Sequence, residues 1–167
     1  VAWGGSILFL ASMLKVFGGK KVIGVDTFLP KTVLKAINKS KSLKKNITLI
    51  KGSSTDEKIL KKIEKIINGS KKILVILDSN HTQDHVLKEL NIYSKFLKKG
   101  NYIICGDTIV EFIPKQKHRP REWGPGNNPF TALKIFLKKN NRFKIDKKID
   151  NKLLLTCHPR GYLIAKK

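Results

Sequence analysis

Three aspartates in this sequence each follow a short apolar run. Asp26 closes Val22-Ile23-Gly24-Val25, Asp78 closes Ile73 to Leu77, and Asp107 follows Tyr102 to Cys105 after Gly106. If the runs are parallel strands, the carboxylates stand at strand carboxyl ends, where open α/β sheets bind their ligands. There a carboxylate can accept hydrogen bonds from the vicinal hydroxyls of a ribose, the role that suits Asp26. It can also ligate a hard divalent cation. Any one of them could simply cap a helix or turn; all three together point more strongly to a site. His81 and His85 stand four apart at the start of an expected helix and so can share a face. They could form a metal pair, His81 could take a proton from an acceptor hydroxyl, or either could cap the helix or face solvent.

Other candidates are less specific. Gly4-Gly5-Ser6 precedes a helical pattern. A glycine turn lets the backbone approach a ligand, and a helix start offers free N–H groups, but such a pair is often only a turn. Ser54 and Thr55, in Gly52-Ser53-Ser54-Thr55-Asp56, could flank an adenine while one of them caps the following helix. The loop from Pro114 to Pro129 is long enough to be a lid, with His118, Arg119, Arg121 and Trp123 gripping a sugar or anionic acceptor. An ordinary connector held by prolines is the alternative. His118 and His158 carry no specific signal of their own.

The elements that must position these residues alternate. Helices are expected over Ser6–Phe17, Pro30–Lys39, Asp56–Ile67, Thr82–Leu97 and Thr131–Lys138, and strands over Lys21–Val25, Ile47–Ile50, Ile73–Leu77 and Tyr102–Cys105. The strands are apolar throughout rather than alternating, which predicts a mostly parallel sheet with helices on both faces. Leu153–Cys157 and Tyr162–Ala165 read as an antiparallel hairpin around Pro159-Arg160-Gly161. The strand expected before Gly4-Gly5 is missing from the sheet pattern. No repeat or linker divides residues 1–167, so a single α/β domain is expected.

Composition narrows the function classes. The 167 residues are 41% hydrophobic, enough for a real core and too many for a disordered chain. The net charge is +23. Nearly all the excess is lysine spread along the chain, whereas nucleic-acid readers cluster arginine and aromatic residues. A solvated lysine-rich surface is the plainer reading, a functional basic patch the alternative. No specific nucleic-acid partner is expected. No apolar run is long enough to span a membrane, and Ile7–Phe17 lacks the flanks of a signal peptide. A cytoplasmic protein with weak contact to membrane surfaces follows. Cys105 and Cys157 lack metal-ligand spacing and lie in apolar runs, so buried reduced thiols are expected over a disulfide.

Several blocks together resemble the cephalosporin hydroxylase / rhamnosyl O-methyltransferase family. They are Trp3-Gly4-Gly5-Ser6, Val22-Ile23-Gly24-Val25-Asp26, Ile47 to Asp56, Leu77-Asp78-Ser79-Asn80-His81-Thr82 with His85-Val86-Leu87, Gly106 to Glu111, Trp123-Gly124-Pro125-Gly126-Asn127-Asn128-Pro129, Asp150 to Leu154, and Gly161-Tyr162-Leu163. The Leu-Asp-Ser-Asn-His and Trp-Gly-Pro-Gly-Asn-Asn-Pro blocks are the most specific.

The resemblance implies a Rossmann-like methyltransferase fold, S-adenosyl-L-methionine (SAM) as cofactor and, in some members, Mg²⁺. It implies methyl transfer to an oxygen of a small molecule, sugar or glycolipid. Gly4, Gly5, Ser6, Asp26, Ser54, Thr55 and Asp78 fall in its cofactor-binding blocks, and Asp78 and Asp107 at its metal positions. His81 and Asp78 are then the candidate catalytic residues. The family pattern after the fifth strand is Glu-Asp, whereas this chain has Gly106-Asp107, so one carboxylate ligand is absent and Mg²⁺ should bind more weakly. The rival expectations are a catalytically degenerate methyltransferase fold that only binds, and a nicotinamide-dependent dehydrogenase, against which the downstream blocks argue.

Overall fold

A computed structural model describes residues 1–167, and the chain divides into two units, Val1–Ile67 and Asn68–Lys167.

The first unit runs α1 (Gly5–Val16), β1 (Val22–Asp26), α2 (Lys31–Lys39), the short α3 (Lys41–Lys44), β2 (Ile47–Lys51) and α4 (Glu57–Ile67). β1 and β2 are parallel, from Val22 opposite Ile47 to Asp26 opposite Lys51, and α2 and α3 make the crossover that a parallel pair requires. α1 stops where Gly18 turns left-handed at φ 70° and the Gly19 N–H bonds back to the Leu14 carbonyl at 2.7 Å. Ile7 of α1 packs with Val33 and Ile37 of α2, and with Val22, Ile47 and Leu49 of the strands. Gly24 makes this approach feasible: a Cβ there would lie 2.6 Å from the Ile7 side chain. α4 buries Ile59 and Ile63, one turn apart on its apolar face.

The second unit runs β3 (Leu74–Leu77), α5 (Gln83–Tyr93) with a 3-10 turn at Ser94–Phe96, β4 (Tyr102–Cys105), a 3-10 turn at Thr108–Glu111, α6 (Pro129–Lys139), β5 (Phe143–Ile145), α7 (Lys147–Leu153) and β6 (Tyr162–Ala165). Its four-stranded sheet has the order β3-β4-β6-β5. β3 and β4 are parallel, and β6 is antiparallel to both β4 and β5. Leu90, Ile103, Leu133, Phe136 and Leu163 form its core, all almost fully buried, each side chain contributing about 1.5–3 kcal/mol by leaving water. α6 opens on a capping box. The Asn128 side chain accepts from the Phe130 and Thr131 N–H groups, Thr131 Oγ1 accepts from the Asn128 N–H, and Pro129 sits at the first turn.

The expected alternation, the parallel pairs and the antiparallel C-terminal strands are all present, grouped as a two-stranded and a four-stranded sheet. Several expectations need correction. The partner of Tyr162–Ala165 is Phe143–Ile145, not Leu153–Cys157. Both edges of β6 are already paired, by β4 and β5, so the leucine run cannot pair with it. It ends α7 instead, with Leu154 at φ 54° and Leu154 and Leu155 exposed. Helical cover is also incomplete: Leu74 and Ile76 of β3 are 52% and 41% exposed. Cys105 is buried as expected, but Cys157 is exposed, and both thiols are free. No helix is long and apolar enough to cross a membrane.

Candidate active site

In the first unit, Asp26 ends β1. Its Oδ1 accepts from the Phe28 N–H at 3.0 Å and its Oδ2 from the Val1 amine at 2.7 Å. Its backbone carbonyl accepts from the Gly52 N–H at 2.9 Å, which ties the end of β1 to the turn after β2. Gly4 precedes α1 at φ 85°, a left-handed conformation, and a Cβ there would press on Val33 at 3.3 Å, so position 4 favours glycine twice over. Gly5 has open space around its Cα and Ser6 is exposed. No side chain caps α1, so this helix start is open to a ligand. In the turn after β2, Ser53 Oγ and Thr55 Oγ1 lie 3.2 Å apart. Asp56, just before α4, caps it, its Oδ1 accepting from the Lys58 N–H at 2.7 Å.

The second unit brings Asp78, His81 and Asp107 together. One ligand atom from each lies within 4.8 Å of the others. Asp78 follows β3, His81 stands two residues before α5, and Asp107 follows β4, so the parallel β3–β4 pair aligns the two carboxylates. His81 Nδ1 lies 3.0 Å from the Ser79 carbonyl oxygen. A carbonyl can only accept, so Nδ1 carries a proton. In neutral His81 the bare nitrogen is therefore Nε2, and it faces Asp107 Oδ2 at 3.0 Å and Asp78 Oδ1 at 3.5 Å. Acceptors facing acceptors need a cation between them, either a proton on Nε2 or a metal ion. Burial pushes the His81 pKa down, but the Asp107 hydrogen bond and charge, with help from Ser79 and Asp78, outweigh it and raise it. Asp107 shifts the opposite way. The His81 hydrogen bond outweighs burial and holds its carboxyl below the usual range, aided by the His81 and Arg121 charges.

His158, which carried no signal in the sequence, belongs to this cluster. Its Nδ1 accepts from the Asp107 N–H at 2.8 Å, and Asp107 sits in the left-handed region at φ 49°. That conformation is unfavourable for a residue with a Cβ, and the His158 bond helps to hold it. The contact spans 51 residues, and only the pairing of β6 beside β4 brings the ends together. His85 does not join His81. Its Nε2 lies 3.1 Å from Ser79 Oγ and 3.5 Å from Glu89 Oε1, so the two histidines form no metal pair.

The long loop divides in use. Trp123 stacks on His81 with centroids 5.3 Å apart, and the Arg121 guanidinium lies 4.7 Å above the Trp123 ring. His118 and Arg119 are exposed. The Trp-Gly-Pro-Gly-Asn-Asn-Pro block is pinned from two sides. Glu111 Oε2 accepts from the Gly126 N–H at 2.8 Å and from the Asn128 side chain, and Asn127 Oδ1 accepts from the Gln83 N–H at the start of α5 at 2.9 Å.

Gly106 is also explained by packing. A Cβ there would lie 2.6 Å from the Leu77 carbonyl oxygen and 3.3 Å from Asp78 Oδ1. A glutamate could enter only if the end of β3 moved. The two carboxylates that remain, Asp78 and Asp107, suit a hard divalent cation with its other positions left to water or substrate.

The second unit thus sets strand-end acids around a histidine, on a parallel strand pair extended by antiparallel strands. The rhamnosyl O-methyltransferase/CmcI family model matches residues 1–166, and the chain belongs to that family. It is 30% identical over 165 residues to a rhamnosyl O-methyltransferase of Mycobacterium tuberculosis (strain H37Rv), covering 97% of this chain and 63% of that protein. It is 29% identical over 167 residues to the protein of the same name from Mycobacterium leprae, covering 98% and 68%. The chain thus spans a little under two thirds of the Mycobacterium tuberculosis relative. Among solved structures it resembles the MycE methyltransferase of the mycinamycin biosynthetic pathway, in complex with Mg and SAH. The TM-score is 0.53 at 17% identity, covering 99% of this chain and 41% of that one, a likeness of fold.

Proposed function

We propose that this chain carries the catalytic apparatus of a SAM-dependent O-methyltransferase acting on a hydroxyl of a sugar, a glycolipid or another small molecule. The observation that carries this reading is the Asp78–His81–Asp107 cluster, in which the His81 imidazole, anchored through Nδ1, aims Nε2 between two carboxylates. The relatives named rhamnosyl O-methyltransferase favour a sugar acceptor, as does a MycE complex that holds mycinamycin VI with Mg and SAH. We read the two units as parts of one methyltransferase domain, because a single family model runs across both.

SAM, when bound, supplies a methyl group already activated on a sulfonium. In this reading Asp26 takes the ribose hydroxyls, Gly4, Gly5 and Ser6 let the start of α1 approach the cofactor, and Ser54 and Thr55 flank the adenine. Asp78 and Asp107 are the residues that would hold Mg²⁺, which would lower the pKa of a bound hydroxyl. His81 Nε2 would take the proton that the acceptor hydroxyl loses on methyl transfer, with S-adenosylhomocysteine as the leaving group. Asp107 then stabilises the imidazolium, while Ser79 keeps Nδ1 donating. Trp123 covers one face of His81 and narrows the access of water, and Arg121 offers a forked donor to the acceptor. The lysine-rich surface suits peripheral contact, from the cytoplasm, with an anionic membrane bearing a glycolipid acceptor.

The test is transfer of radiolabelled methyl from SAM to a panel of rhamnosides and other glycosides. Wild type should label at least one acceptor, and His81→Gln should lower the rate by roughly 10²- to 10⁴-fold. Equal rates in the two proteins would remove His81 from the chemistry. A second reading, a fold that retains cofactor binding without transfer, is favoured by Gly106, which leaves the cation one carboxylate fewer. SAM binding with no labelled product on any acceptor would support it.

A further inference from the structure

Glu89 is a carboxylate that neither the cofactor nor the proton transfer described above uses. It lies on the inner face of α5 and is 2% exposed, and its Oε2 has no hydrogen-bond partner. Burying a carboxylate is costly unless its charge is met, and a leucine would fill such a position more cheaply. Its contacts lead instead to the turn that carries Asp78 and His81. Ser79 Oγ donates to Glu89 Oε1 at 2.8 Å. The single hydroxyl proton is used there, so Ser79 Oγ accepts from His85 Nε2 at 3.1 Å, and His85 carries its proton on Nε2. The same His85 nitrogen lies 3.5 Å from Glu89 Oε1. Ser79 is thereby held from below through its side chain, while its backbone carbonyl accepts from His81 Nδ1 at 3.0 Å.

We propose that Glu89, through Ser79 and His85, is a positioning residue that sets the orientation and tautomer of His81. The chain of contacts is continuous: buried carboxylate, serine hydroxyl, serine carbonyl, imidazole Nδ1, with Nε2 left to face Asp107 and Asp78. Fixing Nδ1–H in this way selects Nε2 as the reactive nitrogen, as outer partners of functional imidazoles do elsewhere. The inference deepens the reading of His81 as proton acceptor and rests on it for its catalytic consequence. The structural part stands alone.

The test uses the full-length protein, labelled with ¹⁵N-histidine and assigned with His81→Gln. Wild type and the variants Ser79→Ala, Ser79→Thr and Glu89→Gln are compared for the nitrogen shifts of neutral His81 and for kcat and KM. Wild type should show the proton on Nδ1. Ser79→Ala, at an exposed position, should keep its melting temperature but give mixed tautomers and a kcat roughly 10- to 100-fold lower, with the KM for SAM unchanged. Ser79→Thr, which keeps the hydroxyl, should restore both. Glu89→Gln should fall between. An unchanged His81 tautomer in Ser79→Ala overturns the proposal, whether or not wild type transfers methyl. A changed tautomer in a protein without transfer activity upholds the anchor and removes only the methyl-transfer reading.

Discussion

Two nitrogens of His81 face different chemistry, and pH should expose it. Methyl transfer that needs a bare Nε2 should rise as His81 loses its proton, at a pH above the ordinary histidine value of about 6.5 because Asp107 and Asp78 raise it. A rate profile with its rising limb above that value in wild type, shifted downward in Asp107→Asn, is the expected result. Stability should run the other way. A raised His81 pKa contributes stability that is fully present below the unfolded value and is lost as pH rises through the folded one. The lowered Asp107 pKa contributes stability present above its unfolded value and lost on acidification through the folded one. The pair should therefore stabilise most between those limits, a window that denaturant titrations across pH would trace. The cysteines differ as well. Burial pushes the Cys105 thiol up to about 12, with the Glu89 charge adding to it, whereas Cys157 is exposed. A disulfide reagent should modify Cys157 in the folded protein and reach Cys105 only after unfolding. Asp78, His81 and Asp107 are legible in the sequence because strand ends concentrate ligands. His158 and Glu89 are not. His158 meets its partner across 51 residues, and Glu89 is indistinguishable from a helix-surface glutamate until its burial is known.

Elements with a clear apolar pattern can be read from the sequence, and a very short strand without one cannot. α4 keeps its apolar face over eleven residues, and Tyr102–Cys105 and Tyr162–Ala165 are strands with the expected bounds. Phe143–Ile145 is three residues long with an exposed lysine at its centre, too brief for a pattern, while Leu153-Leu154-Leu155 carries a strand-like run whose expected partner, β6, is already paired on both edges. Side-chain bonds at element ends matter correspondingly. Asn128 caps α6 and donates to Glu111 and to the Gly124 carbonyl, all while fully buried. Asn128→Ala should lower the unfolding free energy by about 2 kcal/mol, the upper range for a lost helix cap, as read by urea denaturation. It should also loosen the Trp123 loop, seen as weaker quenching of tryptophan fluorescence by His81 at low pH. Gly106→Ala should be destabilising too, since its Cβ would meet the Leu77 carbonyl oxygen at 2.6 Å.

At the scale of the whole molecule, charge is the dominant feature, with 35 lysines and arginines against 12 acids. Such an excess attracts any polyanion without choosing among sequences. Duplexes of unrelated sequence should bind with similar affinity at low salt and lose most of it between about 50 and 200 mM salt, as a filter or anisotropy titration would show. A sequence-selective complex that survived the higher salt would point to a functional nucleic-acid surface instead. Membership of the rhamnosyl O-methyltransferase/CmcI family spans both units of the chain, and the proposed chemistry needs the cofactor before it needs the acceptor. Calorimetric titration of SAM into the full-length protein, with Mg²⁺ and then with a chelator, is therefore the most direct measurement. Micromolar binding, tighter with Mg²⁺ and losing that gain in Asp107→Asn, is the result expected of a methyltransferase whose cation sits on Asp78 and Asp107. Absence of SAM binding in either condition would contradict it.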